Sequence, residues 1–248
     1  TERCYDSNLA TLLSLIKQTQ TNSLIVAPEV CLTGFDYENF LDAQAFSIQA
    51  LSALKEASQN KIIIFTLIEK IGDEIFNVAK VIHNGEVLYS RAKAKLFTLG
   101  AEEKYFKEGE KENLEIIEVE GIKIAVLICF ELRFKDMWKK CEGADVIATP
   151  SWWGKARSDH FISLTKTLAI MNQCYVVASD SMNDECSRMS GIINPQGKDA
   201  AELLDEAETK IFSLNDEASR TSTNIQKLDE LIPQSIERMN EIAKNGSS

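Results

Sequence analysis

Grouped basic residues are missing from this sequence: 27 Lys and Arg stand against 38 Asp and Glu, a net charge of -11. That balance argues against nucleic acid, because phosphate contacts need clustered Lys and Arg; acidic solubility is the plain reading of the surplus. Long apolar runs are missing too. None is long enough to cross a bilayer, and the first residues lack the basic, apolar and small-residue succession of a signal peptide, so the expectation is a cytoplasmic protein away from membranes. The six cysteines, Cys4, Cys31, Cys129, Cys141, Cys174 and Cys186, contain no Cys-x-x-Cys pair. That argues against a zinc ribbon or a thioredoxin-type site and points to free thiols in a reducing compartment. With only His83 and His160 present, a cysteine nucleophile would draw its base from a carboxylate or a lysine. No repeat of roughly 20 to 50 residues stands out, nor does a Walker loop or dinucleotide fingerprint.

What is present is a core. The 248 residues are 44% hydrophobic, enough for one large domain or two small ones. Ile122 to Ile128 is a β-branched apolar run after a Glu-Gly turn, and reads as a strand buried on both faces with Cys129 at its C-terminal end. Ligands of open α/β sheets bind beyond the carboxyl ends of strands, although an isolated cysteine is more often a small buried hydrophobe. Leu24 to Ala27 is a second buried strand, stopped by Pro28 immediately before Glu29, with Thr33-Gly34 turning the chain.

Two amphipathic helices are expected near these strands. Asp6 or Ser7 caps the first, with Leu9, Leu12, Leu13 and Ile16 on its buried face; Phe46, Ala50, Ala53, Leu54 and Ala57 mark the second. Ile62 to Ile68 is strongly β-forming, and Asn84-Gly85 joins Val78–His83 to Glu86–Ser90 as a hairpin, which makes the sheet mixed. The segment from Arg91 to Gly109 reads as a charged loop interrupted by aromatics, its charges solvated by default. Val146 to Thr149 is another strand, ending in Pro150-Ser151-Trp152-Trp153. Those two indoles either roof the core or line a pocket. Phe161, Leu164, Leu168 and Met171 fit a helix, Tyr175 to Ala178 a strand, and Asn194-Pro195-Gln196-Gly197 a hairpin turn. From Asp216 onward the chain is polar with scattered apolar sites and reads as an arm.

Three strand-end features then coincide: Pro28-Glu29, Lys93 followed by Leu96-Phe97, and Cys129-Phe130-Glu131-Leu132-Arg133-Phe134. Together they resemble the nitrilase, or carbon-nitrogen hydrolase, superfamily in its amidase-like branch. The similarity runs on through Asn172-Gln173 and the Asn194 turn. The resemblance implies a four-layer α-β-β-α sandwich with mixed sheets over residues 1–215. It also implies a C-terminal arm over 216–248 at the interface of a homodimer or larger homo-oligomer. Glu29 is then the general base, Lys93 the oxyanion stabiliser and Cys129 the nucleophile, with the backbone N–H of Phe130 as second oxyanion donor and Glu102 orienting the site. Lys95 and Glu103 are the neighbouring alternatives. A nearby ammonium would favour the Cys129 thiolate. The substrate is a small amide, no cofactor or metal is called for, and neither nucleic acid nor membrane is a partner.

The chain departs from the family pattern in several places. Leu168 and Met171 stand where Arg and Glu are common, which removes an expected buried ion pair. Glu131 stands for Asp, Lys135 for Pro, and the chain begins where the family's first strand should be ending. Trp153-Gly154-Lys155-Ala156-Arg157 with His160 looks like the stretch carried by small ω-amidase-like members. Trp152 and Trp153 would line the substrate pocket, and Arg157 would meet a substrate carboxylate or else stay a loop charge. Small acidic ω-amides are thereby favoured over N-carbamoyl compounds. Two rivals remain: a catalytically silent binding protein that keeps the fold, and a redox-sensing thiol, for which Cys141 is the nearest second cysteine.

Overall fold

The structure, a computed structural model, describes residues 4–199 and the strand Phe212–Ser213. The expected arm over 216–248 lies outside the described residues. Helix α1 (Tyr5–Gln18) has Cys4 as its N-cap, two residues ahead of the expected Asp6 and three ahead of the alternative Ser7. Asp6 falls instead in the first turn, where a carboxylate meets the positive end of the helix dipole. Strand β1 (Ser23–Val26) leads to α2 (Phe40–Ala57), and β2 (Lys61–Ile71), β3 (Glu74–His83) and β4 (Glu86–Ala92) follow as two successive hairpins. Asn84 and Gly85 both have positive φ, 49° and 83°, the pair of angles that a two-residue type I′ turn requires. With β10 (Phe212–Ser213) these strands form one sheet in the order β10-β1-β2-β3-β4; β1 and β2 are parallel and the other pairs antiparallel.

The second sheet has the order β5 (Ile117–Val119), β6 (Ile122–Val126), β7 (Val146–Ser151), β8 (Tyr175–Asp180), β9 (Gly191–Ile193). Its three central strands are parallel and its two edges antiparallel. The short α3 (Lys135–Lys139) follows β6, and α4 (Ser158–Asn172) joins β7 to β8.

The period-two alternation of β2 sets the layers. Ile62 and Ile64 enter a core shared with Ile124 and Val126 of the other sheet, while Ile63, Phe65 and Leu67 face Leu9, Ile16, Ala50 and Leu54 of α1 and α2. Phe161, Leu168 and Ala169 of α4 close the shared core from the far side. The result is the α-β-β-α order expected from the resemblance. Each fully buried Ile, Leu or Phe contributes about 1.5–3 kcal/mol, so strands buried on both faces read as continuous apolar runs. Leu168 belongs to that core, at 0% exposure, so packing replaces the ion pair expected there. Met171, on the same helix, is 70% exposed.

Candidate active site

The sheets place three sharp turns at their shared carboxyl end. Beyond β1, Glu29 donates its N–H to Ser151 C=O of β7 across 3.2 Å. Val30 then takes φ +40°, a rare conformation for a β-branched residue. It is held there by its N–H on Thr66 Oγ1 at 2.6 Å and by Gly34 N–H on its carbonyl at 2.7 Å. Beyond β4, Lys93 donates its N–H to Asn77 C=O and accepts from Gly109 N–H, both at 2.8 Å. Gly109 has no room for a side chain, since a Cβ would lie 2.6 Å from the Ala92 carbonyl oxygen. Beyond β6, Cys129 opens a 3-10 turn (Cys129–Arg133) at φ +44°. Val30 beside Glu29, Ala101 beside Glu102 and Cys129 itself thus lie in the left-handed region, each costing about 1–3 kcal/mol.

Glu29, Lys93 and Glu102 form a buried ion cluster. Lys93 Nζ donates to Glu29 Oε1 at 2.7 Å and to Glu102 Oε1 at 2.9 Å. Glu102 Oε2 accepts from Phe97 N–H at 3.0 Å, which fixes the short turn that carries it. Asn77 Nδ2 adds a third buried donor, 2.8 Å from Glu29 Oε1. The alternatives raised by the sequence lie elsewhere: Lys95 pairs with Glu108 at 3.6 Å, and Glu103 is exposed. The Arg91 to Gly109 segment is therefore not a solvated charged loop, because Arg91, Lys93 and Glu102 are all buried.

The electrostatics follow from this dry setting. Burial raises the Glu29 carboxyl above its ordinary 4.5; Lys93 opposes the shift and Glu102 adds to it. Burial would lower Lys93, but Glu29 and Glu102 outweigh it and hold the ammonium above the ordinary lysine value. Cys129 is pushed well above 9.0 by burial first and the Glu29 charge second, against the pull of Lys93. Its S–H is directed at Trp152 C=O across 3.6 Å.

A second buried ion pair joins the turns. Glu131 accepts from Arg91 Nη1 at 2.8 Å, from Arg91 Nη2, and from Ala94 and Ile128 N–H at 2.7 Å each. Those backbone groups adjoin Lys93 and Cys129, so one carboxylate ties the lysine turn to the cysteine turn. On the opposite wall, Asp180 accepts from Trp153 N–H at 2.7 Å, Ser187 Oγ at 2.6 Å and Arg188 N–H at 2.9 Å. It anchors the tryptophan loop.

Cys129, Phe97, Phe130, Arg133, Trp152, Trp153, Gly154 and Arg157 enclose a cavity of about 20 Å³. Trp152 also walls a groove of about 850 Å³ lined by Thr33 to Glu38 and Asn183 to Glu185. Both indoles and Arg157 from the sequence reading thus sit beside the thiol. Arg133, noted in the sequence only as part of a motif, joins them. Its guanidinium lies 4.8 Å from the Trp153 ring centroid and that of Arg157 5.2 Å from Phe97. Burial and the Arg157 charge both lower the Arg133 pKa, and among the described residues neither guanidinium forms an ion pair. Asn77, Arg91, Glu131 and Asp180 are the further residues of the site, and in the sequence they carry no spacing signal of their own. Among the described residues no group of three His, Cys, Asp or Glu side chains is placed to hold a metal, and no helix is long and apolar enough to cross a membrane.

Residues 5–221 match the model of the family described as carbon-nitrogen hydrolase. The 2-oxoglutaramate amidase of Bacillus subtilis is 29% identical over 197 residues, 75% of each chain. The omega-amidase YafV of Escherichia coli is 28% identical over 192 residues, 71% of this chain and 70% of its own. An amidase of the nitrilase superfamily from Nesterenkonia AN1 superposes with a TM-score of 0.69 at 19% identity, over 80% of both chains.

Proposed function

We propose, from the premise that this chain belongs to the carbon-nitrogen hydrolase family, that it hydrolyses small amides bearing a carboxylate, through a thioester on Cys129. The observation that carries the reading is the buried Glu29–Lys93–Glu102 cluster at the same sheet end as the buried Cys129 thiol. A thiol needs a base at the moment of attack, and Glu29 is the carboxylate in place.

Glu29 takes the S–H proton as sulfur bonds to the amide carbon. The carbonyl oxygen becomes an oxyanion, met by the Lys93 ammonium and the Phe130 N–H; a well-placed donor of this kind contributes about 3–4 kcal/mol. Glu29 then gives its proton to nitrogen as the C–N bond breaks, and the amine leaves. A water molecule, deprotonated by the same carboxylate, attacks the thioester; the acid departs and the thiol is restored. No cofactor enters these steps.

The acyl side of the substrate is read from Arg133 and Arg157. Two neighbouring guanidiniums that form no ion pair among the described residues suit a carboxylate, which relieves their repulsion and accepts charge-assisted hydrogen bonds. Relatives named 2-oxoglutaramate amidase and omega-amidase agree with that choice. The same reading includes a homo-oligomer, dimeric or larger, in a cytoplasmic setting.

The test is a turnover panel of dicarboxylate monoamides, neutral amides and N-carbamoyl acids, with intact-mass trapping of the acyl-enzyme. Ammonia release from the monoamides, with an acyl adduct lost in Cys129→Ala, is expected. Reaction with carbamoyl acids alone would sink the substrate assignment, and turnover that survives Cys129→Ala would sink the mechanism.

A further inference from the structure

Asn77 is an unusual residue for its position. It lies in β3 at 0% exposure, where an amide costs free energy unless it is hydrogen-bonded. Its two polar ends reach different members of the ion cluster. The backbone carbonyl accepts from Lys93 N–H at 2.8 Å, and Nδ2 donates to Glu29 Oε1 at 2.8 Å. Its Oδ1 is buried with no hydrogen-bond partner among the described residues. The reverse amide orientation would set Oδ1 against a carboxylate oxygen, so the donor must be the end that faces Glu29.

The two oxygens of Glu29 are consequently unequal. Oε1 receives both Lys93 Nζ and Asn77 Nδ2, while Oε2 is buried with no hydrogen bond among the described residues. We propose that Asn77 is a positioning residue for the base: by holding Oε1 it reserves Oε2 as the single oxygen that takes the Cys129 proton. The inference rests on the amide-hydrolase reading only for what the thiolate does next. In the transfer the S–H bond breaks, the electron pair stays on sulfur and an Oε2–H bond forms, which converts the carboxylate to a neutral acid. Oε1 is then a carbonyl oxygen and still an acceptor, so Asn77 serves both protonation states. Once Lys93 turns its ammonium to the oxyanion, Asn77 is the remaining donor on Oε1. Its contribution therefore falls on the chemical step rather than on substrate binding.

The test compares wild type with Asn77→Ala, Asn77→Asp, and Asn77→Ala in a Glu29→Gln background, after thermal melts confirm that each is folded. The rate of Cys129 alkylation by iodoacetamide, read by intact mass across pH, needs no substrate. Asn77→Ala is expected to slow labelling near neutral pH about tenfold and move the acid limb upward by about one unit, the change that follows from losing a hydrogen bond to the charged form. Asn77→Asp keeps the shape but replaces the donor with a second carboxylate, so it is expected to be slower than Asn77→Ala. In the Glu29→Gln background the Ala substitution should add less than about twofold, because coupled residues are non-additive. With an amide substrate, kcat should fall and KM stay within about twofold. The proposal is overturned if the pH profile of Asn77→Ala is unmoved, if Asn77→Asp labels faster than Asn77→Ala, or if the Ala effect is undiminished without Glu29. Should the wild type label quickly yet hydrolyse no amide, the hydrolase reading alone fails, since the labelling results still decide the role of Asn77.

Discussion

Replacing Glu131 with Ala should lower stability by about 3–5 kcal/mol, the usual cost of removing one partner from a buried ion pair. Both side chains of the Arg91–Glu131 pair are fully buried. After the substitution Arg91 keeps its bonds to the Ala92 and Val126 carbonyls at 3.2 and 2.7 Å. Its charge would face no carboxylate, and its Nε already has no hydrogen-bond partner among the described residues. The N–H groups of Ala94 and Ile128 would lose their acceptor as well, each worth about 1–3 kcal/mol when left buried and unmade. These losses overlap, so the ion-pair figure stands as the total. For a chain of this length the shift is about 10 °C in melting temperature. Urea unfolding followed by tryptophan fluorescence measures it directly. The companion Arg91→Met/Glu131→Leu removes both charges together and should recover at least half of the loss. A single-variant loss below about 1 kcal/mol would refute the argument, as would a double variant that loses the sum of the two single changes.

Four further outcomes are expected. In its proposed role as base Glu29 acts ionised, and burial raises its pKa above 4.5, so the acid limb of the rate profile should lie above 4.5 and vanish in Glu29→Gln. The same upward shift means that the folded state binds more protons than the unfolded one above pH 4.5. The Glu29 contribution to stability is thus full below 4.5 and lost as pH rises through its folded value, so Glu29→Gln should gain on wild type across that window in urea titrations. Arg157→Met should raise KM for a carboxylate-bearing amide about 10- to 100-fold, the worth of a charge-assisted hydrogen bond, while leaving a neutral amide within about twofold; equal effects on both would remove Arg157 from substrate recognition. Asp180→Ala should cost about 2 kcal/mol in urea unfolding through the three donors it strands, and a neutral result would show that the tryptophan loop holds without it.

How far the sequence could be read depended on what kind of signal each residue carries. The Ile62 run, the Asn84-Gly85 turn and the strand before Cys129 were legible because alternation and turn chemistry are local. Their edges moved by only a few residues. Glu29, Lys93 and Cys129 were legible because motif order survives in one dimension. Arg91, Asn77 and Asp180 were not, and the motif showed nothing of what Glu131 binds, since a buried polar group and a solvated one look identical until the partner is known. Asn77 and Glu29 are 48 positions apart, and Arg91 and Glu131 are 40 apart. Met171 fits the helix as its spacing suggested, and spacing alone did not say that the helix turns it outward.

Glu29 and Lys93 ride on one sheet and Cys129 on the other, and the chain passes between the sheets near Lys111–Asn113, a short exposed turn. Each half of the polypeptide therefore carries only part of the proposed catalytic set. The second half nevertheless carries β10, an edge strand of the first sheet, so a nick at that turn leaves two fragments with a built-in reason to find one another. The molecule has the layout of a two-piece reporter, in which recovered thiol reactivity would announce that the halves have met.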